Sequence, residues 1–455
     1  MFDITVKEIL EATGGVLLCG DENVQIRDVC IDSRLIKEGD IFVPLEGSNV
    51  DAHRFIESAL EKGSATFTSQ HTGIVISEKP YIYVSNVLKA HQQLAKYIRE
   101  NRLKLPVIGV TGSVGKTTTR EMIATALAGN INTYETEKNY NSQEGLPICI
   151  DRINRKHKVA VLEHGISKPG EMEVLSEISK PDICVVTVIG VAHLEHLETR
   201  ENIRREKLSI TNHMNPDGLV LLNGDDEMLA ELRGQMNEKV RFYGTADWCD
   251  YRAENIRQVN YQYHYDFVCG DIRIPVELNA LGRHNVGNSL AGLAITHYMG
   301  LDLYNAAEEY KNFKGMRQKL INIPGKYTII DDTYNASPDS MKASIDVLSE
   351  LEGEGRRIAV LGDMLELGEN SQEFHYQVGK HLADKNIDEL VVVGELSQYY
   401  VKAVEESDSQ TKCYSFKDNG EVALYLMSVM NPGDIVLLKG SNSMKLNEIV
   451  NNMQG

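Results

Sequence analysis

The sequence predicts an α/β protein of three domains: a small α/β N-terminal domain, a central P-loop domain with a mostly parallel sheet, and a C-terminal Rossmann-like domain. Three observations predict it. The 455 residues exceed what one hydrophobic core serves. Apolar, strand-like runs alternate with helical stretches in two separate series, the pattern of parallel sheets covered by helices. Between an apolar run and a stretch of good helix formers lies GVTGSVGKTTTR, residues 109–120, a loop built to hold phosphates.

Taken in order, residues 1–84 mix short strands with DAHRFIESALEKGSA, an amphipathic helix ending at Gly63. A second helix, NVLKAHQQLAKYIRENR (86–102), opens the next domain, predicted over 85–313. LPVIGVT then runs as a strand into the glycine loop, followed by the strand candidates KVAVLEHG, DICVVTVIG and GLVLLNGDD. Residues 250–280 instead alternate with a period of two and predict a small antiparallel addition. After the helix RHNVGNSLAGLAITHYMG, the third domain, 314–455, carries KYTIIDD, RRIAVLGDM, ELVVVGE, TKCYSF and DIVLLKGS as strands with helices between them.

The balance of 47 basic against 66 acidic residues, a net charge of −19, disfavours nucleic acid as a partner. The opening MFDITVKEILEATGG lacks the basic start and apolar core of a signal peptide, and no apolar run is long enough to cross a membrane. Seven scattered cysteines without a C-x-x-C pair read as reduced thiols, so a cytoplasmic setting is expected.

In the glycine loop, Gly112 and Gly115 permit close backbone approach to phosphate, Lys116 neutralises its charge and Thr117 offers a hydroxyl to Mg²⁺. The strict P-loop pattern fails by one residue, because Val110 stands where its first glycine belongs. The bland alternative is a glycine turn with an exposed lysine. Elsewhere the residue types alone are less telling: His193 reads as a solvated imidazole, and Lys207, in TRENIRREKLSI, as part of a solvated helix face. For Asn288 the bland alternative is a solvent-facing helix residue and for Asp332 a turn cap, whereas Glu163, closing an apolar strand, reads as a site.

TGSVGKT resembles the phosphate loop of the Mur ligase family, and further blocks are similar to that family in order. These are residues 32–65, NYNSQEGLP, LEHGISKPGEM, VIGVAHLEHLETRENIRREKLSI, RHNVGNSLAGLA, IIDDTYNASPDSM, VLGDMLELGENS and VLLKGSNSM. The resemblance implies an ATP- and Mg²⁺-dependent peptide ligase of the branch that adds D-alanyl-D-alanine to UDP-N-acetylmuramoyl-tripeptide, acting as a monomer. It implies that Gly112, Ser113, Val114, Gly115, Lys116, Thr117 and Thr118 cradle ATP phosphates, that Thr117 and Glu163 hold one Mg²⁺ and that His193 helps hold a second. Lys207 corresponds to a lysine carried as a carbamate, Asn288 to a contact with adenine, Arg317 to one with phosphate and Asp332 to one with ribose. By the same likeness, the first domain takes the UDP-sugar, the second ATP, and the third the incoming amine while closing over the nucleotide. A related ligase joining a different amine, and an ATP-binding regulator without catalysis, are the competing expectations.

Overall fold

The computed structural model describes residues 3–47, 50–70, 77–236, 239–259, 261–315 and 317–454. Near the N-terminus, the helix Val6–Thr13 starts on a capping box: the Thr5 hydroxyl accepts from the Glu8 N–H at 3.2 Å and the Glu8 carboxylate accepts from the Thr5 N–H at 2.9 Å. Beyond it, a five-stranded sheet runs in the order Val16–Cys19, Tyr81–Tyr83, Ala65–Thr68, Asp40–Phe42, Asp28–Cys30. The predicted helix of this region is present as Ile56–Lys62 and stops at Gly63.

The helix Val87–Asn101, capped by the Asn86 side chain on the Lys89 N–H, joins this sheet to the next. Its apolar stripe, including Ala90, Leu94 and Ile98, shares one core with Ile9 of the first helix and with Leu175 and Cys149 further on. Glu8 ties the two helices together, accepting from Tyr97 Oη at 2.9 Å and Arg102 Nη2 at 2.5 Å. Burial alone would raise the Glu8 pKa, but the Thr5 N–H, Tyr97 and Arg102 outweigh it and hold the carboxyl at about 2. Its folded-state value therefore lies below that of the unfolded chain, so its stabilising effect is complete above about pH 5 and disappears as pH falls towards 2. Glu8→Gln is expected to flatten that acid-side loss, read as the thermal midpoint against pH.

The central sheet has nine strands, in the order Ile272–Leu278, Gln262–Cys269, Tyr251–Val259, Val240–Gly244, Leu219–Asn223, Ile183–Val186, Val107–Thr111, Val159–Glu163, Thr133–Glu135. The strands from Tyr251–Val259 to Thr133–Glu135 pair in parallel. The interior strands Val107–Thr111, Val159–Glu163 and Ile183–Val186 are buried along their whole length, as strands covered on both faces must be. The antiparallel ribbon expected at 250–280 is present and continues this same sheet, since Tyr251 pairs with Tyr243. Helix Lys116–Ala128 follows the glycine loop and packs on His284–Tyr298 so closely that a Cβ on Gly292 would lie 2.9 Å from the Met122 carbonyl.

A six-stranded sheet forms the last third, ordered Lys319–Asn322, Thr328–Asp332, Ile435–Lys439, Arg357–Gly362, Glu389–Val393, Lys412–Phe416. Every pairing is parallel except that of the first, edge strand. Helices cover both faces, giving two cores, one around Ile345 and Leu382 and the other around Leu426 and Ile449. This body touches the central one at several points, among them Tyr263 Oη on Glu350 and Tyr261 Oη on the Glu352 carbonyl. Among the described residues no helix is long and apolar enough to cross a membrane.

Candidate active site

The glycine loop leaves the sheet at the carboxyl end of Val107–Thr111, where open α/β sheets present their ligand crevice. Gly112, at φ 153°, passes so near the neighbouring strand end that a Cβ would sit 1.9 Å from Thr187 Oγ1. That hydroxyl donates to the Val114 carbonyl at 2.5 Å and the Ser113 N–H to the Val188 carbonyl at 2.7 Å, so the loop is clamped before any ligand arrives. The Ser113 hydroxyl is buried without a hydrogen-bond partner among the described residues. Gly115, at φ 85°, starts the helix, whose first turn carries Lys116, Thr117 and Thr118. Lys116 Nζ folds back onto the Gly112 carbonyl at 2.8 Å and that of Ser113 at 3.3 Å. Gly112→Ala combines this clash with an unfavourable backbone and should destabilise the protein by about 1–3 kcal/mol, visible as a lowered thermal midpoint.

Glu163 closes its strand with only 3% of its surface exposed. Its Oε1 accepts from Thr117 Oγ1 at 3.2 Å and Asn141 Nδ2 at 2.8 Å, and its N–H donates to Thr136 Oγ1 at 2.9 Å. Arg120, buried on the next helical turn, places Nε 3.8 Å from Glu163 Oε2 while Nη1 holds Glu135 and the Thr136 carbonyl. Thr117 and Glu163 thus present adjacent hard oxygens, the donor type that suits Mg²⁺. A trio of potential ligating groups within 4.8 Å of one another lies elsewhere, at Glu46, Asp51 and His53.

Around Lys116 lie basic groups whose charged forms burial disfavours. Lys207 is fully buried, and its Nζ has no hydrogen-bond partner among the described residues. Burial, with Lys116 nearby, drives its pKa well below the ordinary lysine value. The sequence reading of a solvated lysine fails because Lys207 lies one helical turn after Ile203, on the stripe of Arg200–Leu208 that faces the core. Lys116 is also lowered by burial, with Glu163 opposing and Arg317 adding to the effect. His193 is pushed down to about 3 by burial, then by Lys116, Lys207 and His196. Arg317 sets its guanidinium over the Tyr334 ring, 3.3 Å from the centroid, with Nη2 3.4 Å from Thr117 Oγ1. Basic groups whose charged forms burial disfavours are stabilised in those forms by an anionic ligand.

Two predicted residues stand a little apart. Asn288 adjoins the start of the loop helix, accepting from Thr119 Oγ1 at 3.0 Å and donating to Asn285 at 2.8 Å. Asp332, predicted as a turn cap or a ribose contact, has its Oδ2 taken by Lys439 at 2.7 Å and Ser344 at 2.6 Å. Sequence reasoning missed Thr187, Asn141, Arg120 and Glu366, whose Oε2 lies 2.9 Å from His193 Nδ1. Of these, Asn141, Arg120 and Glu366 sat within stretches already quoted above, NYNSQEGLP, GVTGSVGKTTTR and VLGDMLELGENS, and Thr187 in a strand candidate, but none of the four carried a signal of its own.

Three family models cover most of the chain: Mur ligase family, catalytic domain, over residues 25–110; Mur ligase middle domain, over 110–296; and Mur ligase, glutamate ligase domain, over 316–442. A Bacillus subtilis protein named UDP-N-acetylmuramoyl-tripeptide–D-alanyl-D-alanine ligase is 35% identical over 100% of this chain and 99% of its own length. The Escherichia coli protein of the same name is 28% identical over 100% and 99%. Among solved structures, a crystal structure of MurF from Acinetobacter baumannii superposes with TM-score 0.89 at 27% identity, covering 99% of both chains. MurF ligase from Thermotoga maritima in complex with ADP gives 0.81 at 28% identity, covering 94% of this chain and 97% of the other.

Proposed function

The chain belongs to the Mur ligase family, and from that premise we propose that it joins D-alanyl-D-alanine to UDP-N-acetylmuramoyl-tripeptide at the expense of ATP, in peptidoglycan precursor synthesis. The observation that carries the residue-level reading is Lys207, a buried amine with no hydrogen-bond partner among the described residues, set near Lys116 and His193. A group so placed is unfavourable by itself and needs a reaction partner to account for it.

The chemistry follows from the reactants. A carboxylate resists attack by an amine because its leaving group would be oxide. Transfer of the γ-phosphoryl of ATP to the acid gives an acyl phosphate, and attack by the amine of the dipeptide then expels phosphate, loses a proton and leaves an amide. In the first step two anions must meet. The amides of Gly112 to Thr118 hold the phosphates, Lys116 takes up charge as the bond to ADP breaks, and Arg317 steadies the transferred group. Asn288 faces the adenine and Asp332 the ribose, through the side of its carboxylate not engaged by Lys439.

Thr117 and Glu163 would hold one Mg²⁺, supported by their 3.2 Å approach, and His193 with Lys207 a second. Bound Mg²⁺ would supply neutralising charge between the triphosphate and the acid. For Lys207 to serve, its amine must become an oxygen donor. Burial favours the neutral amine, which is the nucleophilic form: attack on CO₂ forms an N–C bond, releases one proton and leaves a carbamate anion.

We place the UDP-sugar on residues 1–84, ATP on 85–313 and the amine on 314–455, with the last closing over the nucleotide to exclude water from the acyl phosphate. The test is phosphate release that requires both UDP-N-acetylmuramoyl-tripeptide and a dipeptide, with products identified by mass spectrometry across a panel of amines. Release without an acceptor, or amide formation only with another amine, would overturn the reading.

A further inference from the structure

We infer that Glu366 is a positioning residue for His193: its carboxylate fixes the imidazole as the Nδ1–H tautomer and leaves Nε2 as the free ligand atom. The second cation site is then complete only while the C-terminal sheet rests on the central one. The metal part of this inference rests on the reading of His193 as a Mg²⁺ ligand given above; the tautomer does not.

The pair joins residues 173 apart in sequence, in loops that follow strands of separate sheets, across 2.9 Å. A carboxylate can only accept, so the proton of the hydrogen bond belongs to Nδ1. Metal-ligating histidines characteristically give their other ring N–H to such an acceptor, which fixes both the tautomer and the ring orientation.

Both backbones are shaped for the contact. His193 sits at φ 61° and Glu366 at φ 62°, a conformation that residues other than glycine rarely hold without a reason. Each is fixed by its own surroundings. Around Glu366, Met364 and Leu367 are buried anchors, the Met364 N–H donates to His375 Nε2 at 2.9 Å, the Leu365 N–H to Ser441 Oγ at 2.9 Å, and Asp363 Oδ1 accepts from the Ser397 N–H at 2.7 Å. On the other side, the His193 carbonyl accepts from the N–H groups of His196 and Leu197. The two loops touch, since a Cβ on Gly368 would lie 3.5 Å from Glu195 Cα. The Glu366 side chain is 60% exposed, so the pair contributes little to stability, and orientation is what remains for it to do.

The experiment uses the full chain, labelled with ¹⁵N-histidine and free of metal. Long-range proton–nitrogen correlations report which ring nitrogen carries the proton, and His193→Gln assigns the signal. The expected wild-type pattern is a protonated Nδ1 with a bare Nε2. Glu366→Ala should move the ring to a mixture or to Nε2–H, with Glu366→Gln, which keeps the shape, intermediate. In turnover, Glu366→Ala should raise the Mg²⁺ concentration for half-maximal acceptor-dependent phosphate release about tenfold and leave the KM for the dipeptide unchanged. The proposal is overturned by an unchanged tautomer in Glu366→Ala, or by an unchanged Mg²⁺ dependence. Should the wild type fail to turn over with any acceptor, it is the ligase reading that falls, and the tautomer measurement still decides the role of Glu366.

Discussion

Lys116→Met is expected to lower acceptor-dependent phosphate release about 10²–10³-fold, the usual consequence of removing one preorganised charge from a developing anion. Methionine keeps the unbranched shape, so the loop clamped by Thr187 and Val188 should persist and the far-ultraviolet circular dichroism should match wild type. The magnitude follows from position. Lys116 starts the helix at the end of the loop, and its ammonium already rests on two loop carbonyls 2.8 and 3.3 Å away. Phosphate oxygens arriving there displace weak, neutral acceptors with strong, charged ones. Lys116→Arg should fail nearly as badly, because a planar fork does not fit where a compact ammonium is held. A rate within a few-fold of wild type in Lys116→Met would remove Lys116 from the reaction.

How much of this was legible in the sequence depended on whether burial or partnership decides each element. Val107–Thr111, Val159–Glu163 and Glu389–Val393 are buried throughout, so their unbroken apolar runs announced them. Thr133–Glu135 and Lys319–Asn322 are short edge strands with mixed or exposed faces, held by ladder bonds to Val159–Val161 and Thr328–Asp331. No local pattern encodes such a partner. The same divide separates the site residues. The glycine loop was readable because its backbone demands glycine at Gly112 and Gly115, whatever lies around it. Arg120 reads as an ordinary helix residue until folding brings Glu163 and Glu135 to it. Glu366 and His193 meet only through the seating of one sheet on another.

Lys207→Met is expected to abolish acceptor-dependent phosphate release while raising the thermal midpoint of the metal-free protein. The two effects share one cause. The Lys207 amine is fully buried and has no hydrogen-bond partner among the described residues, and exchanging it for a thioether of similar length removes an unsatisfied polar atom, worth about 1–3 kcal/mol, from a core that already holds Ile203 and Ile210. The pH dependence has a definite sign. The folded-state pKa lies below that of the unfolded chain, so the unfolded chain binds the extra proton and folding is opposed at neutral pH. That opposition fades as pH rises towards the ordinary lysine value, so the stability gap between variant and wild type should be widest near neutrality and narrow on the alkaline side. Calorimetry across that range, in chelator and in buffer stripped of CO₂, measures it. A destabilised variant would mean that Lys207 packs as a structural group. A stabilised and inactive one would mean that the fold tolerates a liability for what the amine becomes, and restoring bicarbonate to stripped wild-type enzyme should then restore turnover in the wild type alone.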